Sequence, residues 1–246
     1  LSSSFDPWQA AGVISTQGGS AMSFVPEFVD RDVRAVQSWM QTRPDSQSVA
    51  TFTPGPGIQK LALEFDIQRL RDALDECLER ETFKGAMQAQ GFAALPLTQR
   101  PGQTEWTDND LSGRYWLRAD ERYVEEPREA SVPEAEFSEF NPKFSGTYFE
   151  HVHRELSKRF PIGRTRVLSK DIYNCNSWHR DPEPRLHIPI TSNPGSLFVV
   201  NHHVTHLPAD GSVYFTDTRG YHTALNGGET RRVHLVAALA YDPLTE

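Results

Sequence analysis

The chain has 246 residues, of which 33 are acidic and 25 basic, giving a formal net charge of −8, and 37% of it is hydrophobic. No apolar run reaches the roughly 18 residues that a membrane-spanning helix requires, and the negative balance, with no cluster of Lys and Arg, disfavours nucleic acid as a partner. The length fits a single domain built on an elaborated β core.

The N-terminal run LSSSFDPWQAAG has neither the basic start nor the apolar stretch of a secretory signal. Cys77 and Cys175 lie too far apart for a local zinc motif and are too few for a disulfide framework, so they read as reduced thiols of a cytoplasmic protein. Residues 1–60 are rich in Ser, Gln, Gly and Pro and close on the breaker run TFTPGPG, which predicts an N-terminal arm preceding a domain over 61–246. Within the arm, FVDRDVRAVQSWM (28–40) predicts one short helix. Leu63, Ile67, Leu70, Leu74, Cys77 and Leu78 recur at three- and four-residue steps and predict a helix over 63–80. Residues 91–97 and 114–124 read as strands separated by a polar loop. The acidic, Pro-containing run at 125–142 reads as a solvated surface loop rather than a docking site. Tyr148, Val152, Leu156 and Phe160 predict a second helix. Beyond Gly163, the segments RTRVLS, RLHIPIT, SLFVVN, SVYFTD and VHLVAALAY alternate with turn clusters, as in a barrel or sandwich with helices on one side.

The chemistry concentrates in SWHRDPEPRLHIPI at 177–190. Side chains alternate along an extended chain, so His179 and Asp181 point to one face. A third ligand comes from elsewhere, and His222, 43 residues after His179, is the candidate. Two imidazoles and one carboxylate form the facial set of non-haem Fe(II) enzymes, with three coordination positions left open. Any one of these residues alone reads more simply as a surface or hydrogen-bonded core residue.

Their company strengthens the set. Arg232 lies inside the apolar strand pattern RRVHLVAAL, where a buried guanidinium needs an anion, and the distal carboxylate of a dicarboxylic acid matches its donor fork. Arg185 and His187 share a face of RLHIPI and are placed to hold a carboxylate near the metal, while a structural ion pair with an acidic residue is the competing reading for the arginine.

The stretch over about 163–240 resembles the aspartyl/asparaginyl β-hydroxylase family of Fe(II)/2-oxoglutarate-dependent dioxygenases, in its compact bacterial and phage form related to proline cis-hydroxylases. The matching pieces are HRD at 179–181, RLHIPI at 185–190, DGSVYFTDTRGYH ending at His222, Asn226, and Arg232 with the following HLV. The resemblance implies a double-stranded β-helix (jelly roll, cupin-like) core and an enzyme that uses Fe(II), 2-oxoglutarate and O2. It implies iron ligation by His179, Asp181 and His222, and a grip on the far carboxylate of 2-oxoglutarate by Arg232. Arg185 and His187 match positions that contact the cosubstrate near its chelating end. Asn226 reads either as a residue supporting that site or as a turn residue before Gly227 and Gly228.

In the animal enzyme of the family glycine replaces the carboxylate ligand, whereas Asp181 is present here, and a retained carboxylate favours oxygen transfer over halogenation. The implied activity is hydroxylation of an unactivated C–H bond of an amino acid or an Asp/Asn-like side chain, coupled to conversion of 2-oxoglutarate to succinate and CO2. A cupin-like metal enzyme without 2-oxoglutarate and a noncatalytic metal-binding protein on the same scaffold are the alternatives, which Arg232 helps to separate. Of the remaining histidines, the NHHVTH group reads as loop or rim residues, and His151 and His153 as surface groups.

Overall fold

The computed structural model describes residues 27–41, 51–85, 92–119, 124–127 and 132–240. The chain divides into two units, Leu1–Asp45 and Ser46–Glu246. In the first, α1 (Glu27–Met40) covers the helix expected at 28–40, and Val33, Val36, Trp39 and Met40 on it are exposed. The rest of the expected arm up to residue 50 lies outside the described residues. No described helix is long and apolar enough to cross a membrane.

The second unit opens with β1 (Ile58–Glu64), which spans the 60/61 boundary expected from composition, and continues into α2 (Ile67–Arg80). The helix starts at 67 and not at 63 because the Asp66 carboxylate caps it, accepting from the Gln68 and Arg69 amides at 2.9 and 3.1 Å. Leu61 and Leu63 belong to a strand instead, and the four-residue step from Leu63 to Ile67 imitates helical spacing across the junction. Gly211, at φ 93°, accepts the Phe65 amide at this junction, and a Cβ there would meet the Phe65 carbonyl oxygen at 1.9 Å.

Next come β2 (Phe92–Pro96), β3 (Thr98–Gln99), the one-turn α3 (Asp108–Leu111), and β4 (Trp116–Ala119) paired with β5 (Val124–Pro127). The segment read as a solvated acidic loop differs from expectation. It holds β5, a 3-10 turn over Glu134–Glu136 and β6 (Glu139–Phe140), and it is partly core: Phe137 is buried, and the buried Glu134 carboxylate pairs with the fully buried Arg164 at 2.9 Å. Charge density concealed this, because a carboxylate goes inside when a guanidinium waits there. Helix α4 (Tyr148–Ser157) follows, burying Phe149, Val152 and Leu156.

From β7 (Ile162–Lys170) onward the chain alternates between two sheets. It runs through β8 (Asn174–Cys175) and β9 (His179–Arg180), β10 (Arg185–Thr191), β11 (Ser196–Val200) with β12 (His203–Thr205), β13 (Ser212–Thr216), β14 (His222–Asn226) and β15 (Arg232–Leu239). One sheet has the order β1-β13-β10-β15-β7-β2, and the other β12-β11-β14-β9-β4-β5 with β8 added beside β14. All pairings within both are antiparallel. This alternation is the double-stranded β-helix expected from the sequence.

Strand alternation sorts the two faces of the first sheet. Val167, Leu186, Ile188, Val233 and Leu235 point outward into a core shared with α2 and α4, which is why the helices lie on that side. The opposite face carries Arg166, Lys170, Arg185, His187 and Arg232 into the space between the sheets. Part of that space is filled by Ile58, Phe198, Val200, Tyr214 and Ala224. The rest is a cavity.

Candidate metal centre

The cavity has a volume of about 490 Å³ and is bounded by both sheets. On the second sheet, β9 lies beside β14 with His179 directly opposite His222. Asp181 follows β9 and is anchored by its amide, which donates to the Thr218 carbonyl at 2.8 Å. The Thr218 hydroxyl donates in turn to the Glu183 carbonyl at 2.7 Å, so one residue clamps the turn that carries the carboxylate. The expected convergence is present: ligand atoms of His179, Asp181 and His222 lie within 4.8 Å of one another, the one such group among the described residues.

These residues fit a metal ion in three respects. His179 Nδ1 lies 2.7 Å from the Ser177 carbonyl and His222 Nδ1 lies 3.1 Å from the Gly220 carbonyl, so each Nδ1 carries the proton and each Nε2 presents a lone pair. Both imidazoles are held neutral chiefly by burial, which lowers the pKa of His179 and brings that of His222 to about 4. Asp181 is 1% exposed, yet its Oδ1 has no hydrogen-bond partner among the described residues. A buried carboxylate oxygen left in that state is costly unless a cation completes it.

Arg185 accounts for the other oxygen. Its Nη2 lies 2.8 Å from Asp181 Oδ2 and 3.8 Å from Glu183 Oε1, an ion pair whose angle falls short of a hydrogen bond. The ion-pair reading is therefore met, although Arg185 also lines the cavity. Glu183 is buried beside it, and burial first among its causes pushes its pKa up to about 8.

Across the cavity, Arg232 and His187 project from the first sheet. Arg232 is 4% exposed, its Nη2 donates to His234 Nδ1 at 3.1 Å, and it forms no salt bridge to a carboxylate of the described residues. Burial lowers its pKa to about 10. His187 is linked to the same group, its Nδ1 3.5 Å from His234 Nδ1, and burial holds both rings neutral. Phe198 lies between the two sides, with its ring centroid 5.2 Å from that of His187 and 5.9 Å from that of His222.

Asn226 lies where the end of β7 meets the loop after β14. It is fully buried, does not line the cavity, and donates through Nδ2 to the Asp171 and Thr230 carbonyls at 3.0 and 2.9 Å. These bonds fix the end of β7 against the loop after β14.

His151 and His153 are half-buried rather than fully exposed, packed against Tyr148 and Phe140. In the NHHVTH group, His203 Nε2 contacts the Thr53 carbonyl and His206 Nδ1 the Ser196 carbonyl, which occupies them structurally.

Two cationic residues of the cavity escaped the sequence reading. Arg166 is 2% exposed and Lys170 is 1% exposed, both on the cavity face of β7. Arg166 donates through Nη1 to the Leu111 carbonyl, while its Nε and Nη2 are buried with no hydrogen-bond partner among the described residues. The signal was present in RTRVLSK, where positions 164, 166 and 170 share one strand face, the same alternation that singled out Arg232.

No family model matches the chain, and no curated protein matches it. Among solved structures it is similar to an oxidoreductase of the 2OG-Fe(II) oxygenase family from Burkholderia pseudomallei, with 15% identity, a TM-score of 0.46, and coverage of 75% of this chain and 84% of that one. It is similar also to a Pseudomonas putida prolyl-4-hydroxylase, with 12% identity, a TM-score of 0.43, and coverage of 76% and 93%. A third is the viral collagen prolyl hydroxylase of Paramecium Bursaria Chlorella virus-1, at 8% identity, a TM-score of 0.41, and coverage of 75% and 96%. All three likenesses are remote.

Proposed function

We propose that this protein is an Fe(II)- and 2-oxoglutarate-dependent dioxygenase that hydroxylates an unactivated C–H bond of a small carboxylated substrate, an amino acid or an Asp/Asn-like side chain. The observation that carries the reading is the sharing of one cavity by a His-Asp-His set with two free Nε2 lone pairs and the buried guanidinium of Arg232. A metal enzyme with no dicarboxylic cosubstrate has no use for that buried cation.

His179, Asp181 and His222 would hold the iron, which when bound with 2-oxoglutarate and O2 supplies the oxidising power for hydroxylation, with succinate and CO2 as coproducts. Arg232 binds the distal carboxylate of the cosubstrate, and His187 packs against the same end through His234. Arg185 holds Asp181 in place. Phe198 and Tyr115, whose ring stands edge-on 5.7 Å from that of His179, keep water from the ligands.

Among the described residues, the cavity lining includes Arg166, Lys170, Arg185 and Arg232 against the single carboxylate of Asp181, an excess of positive charge that selects anions. Nε and Nη2 of Arg166 form one edge of its guanidinium, the side-on fork that meets both oxygens of a carboxylate, and this supports a carboxylated substrate. The free thiols of Cys77 and Cys175 are consistent with a reducing compartment such as the cytoplasm.

Anaerobic addition of Fe(II) and 2-oxoglutarate should give the weak visible absorbance of the chelate, and admission of O2 should yield succinate. Stimulation of succinate formation by individual amino acids then identifies the substrate class. Folded protein that shows no chelate band and forms no succinate would overturn the proposal.

A further inference from the structure

Arg232 and Lys170 are direct partners in the antiparallel register of β15 and β7. Side chains opposite each other in such a ladder project to the same face, and both of these line the cavity. The result is two cationic side chains next to each other, each almost fully buried. Like charges opposed in this way repel, and burial makes the cost larger. Its trace is visible on Lys170, whose pKa is lowered to about 7 by burial first and by Arg232 second.

The lysine is nonetheless held firmly. Its Nζ donates to Asn174 Oδ1 at 3.0 Å and to Asn176 Oδ1, both uncharged amides. The Asn176 carbonyl accepts from the Thr223 hydroxyl at 2.7 Å, which ties this support to the strand bearing His222. At the backbone, Asn226 Nδ2 donates to the carbonyls of Lys170 and Asp171 at 3.4 and 3.0 Å. An ammonium held by two amides, beside a guanidinium and facing a cavity, is prepared for an anion that lies between the two cations.

We infer that Lys170 is a second cosubstrate-positioning residue, whose ammonium shares with Arg232 the distal carboxylate of the dicarboxylic acid. The inference rests on the reading of the cavity as a 2-oxoglutarate site and adds to Arg232 a second group that favours a dicarboxylic over a monocarboxylic oxo acid. Arg232 supplies a planar fork and Lys170 a point charge, so one carboxylate satisfies both.

The test measures ligand binding without turnover. Wild-type protein loaded with Mn(II) is titrated with 2-oxoglutarate and, separately, with 2-oxobutyrate, which has the same chelating head and no distal carboxylate. Lys170→Met should raise the Kd for 2-oxoglutarate roughly tenfold or more, leave that for 2-oxobutyrate and the affinity for Mn(II) unchanged, and keep or raise the melting temperature, because it removes a buried charge. Lys170→Gln, which retains polar contact with the two asparagines and lacks the charge, should show the same selective loss and serves if the methionine variant does not fold.

An unchanged Kd for 2-oxoglutarate, or an equal loss for both oxo acids, would overturn the role of Lys170 while leaving the dioxygenase reading in place. Wild-type protein that binds Mn(II) and not 2-oxoglutarate would remove both.

Discussion

His179 and His222 face each other across the β9–β14 ladder, their ring centroids 4.2 Å apart, although 43 residues separate them in the chain. The ladder brings the two imidazoles together and the turn clamped by Thr218 adds Asp181, whose Oδ2 lies 3.5 Å from His222 Nε2. A metal ion at this point would draw on three residues already oriented, with Asp181 and His222 buried and His179 partly so, and little ordering remains to be done on binding.

Loss of either imidazole should therefore abolish metal binding without unfolding the protein. His179→Ala and His222→Ala are expected to weaken Mn(II) binding more than about a hundredfold, beyond the usual effect of a supporting residue, and to eliminate succinate formation. Titration of Mn(II) followed by electron paramagnetic resonance, with circular dichroism to verify folding, checks this. Full activity in either variant would remove that residue from the ligand set.

Arg232→Met should separate cosubstrate from metal. Charged hydrogen bonds contribute about 1.5–3 kcal/mol, so the Kd for 2-oxoglutarate should rise by about ten- to a hundredfold while Mn(II) affinity stays the same. Calorimetric titration of the Mn(II)-loaded variant measures both.

Arg185→Met leaves Asp181 and Glu183 buried without the guanidinium that pairs with them. Breaking a buried pair by removing one partner costs about 3–5 kcal/mol, which urea unfolding of the metal-free protein should show. Saturating Mn(II) should recover part of the loss, since the ion replaces the missing positive charge next to Asp181. A variant as stable as the parent without metal would show the ion pair to be unimportant.

Acidification should destabilise the metal-free protein through His222. Its pKa falls from 6.5 to about 4 on folding, so between these values the unfolded chain binds more protons, and stability present above pH 6.5 is lost progressively as the pH drops toward 4. The expected contribution is roughly 3 kcal/mol. Comparing urea midpoints of wild type and His222→Gln across this range isolates it: the variant should show the shallower pH dependence.

Glu134→Ala should remove the carboxylate that pairs at 2.9 Å with the fully buried Arg164. The cost is expected to be about 3–5 kcal/mol in urea unfolding. A surface loop, as the acidic composition of this segment implies, would tolerate the change within about 0.5 kcal/mol.

Much of this architecture is written in local periodicity. Period-two alternation assigned the strands after Gly163 and set His187 and Arg232 on cavity-facing positions, and three- and four-residue spacing located α2 and α4, because facing direction depends only on near neighbours along the chain. Partnership does not. Whether Arg185 serves an acidic side chain or a ligand, whether Asn226 reaches the cavity or clamps a turn, and whether Glu134 is wet or buried all depend on what the register and the packing of distant strands bring alongside. Those contacts are set by hydrogen bonds and burial between segments tens of residues apart, so the amino-acid order alone nominated the three candidate metal ligands, and the folded sheets decided which charges stand next to them.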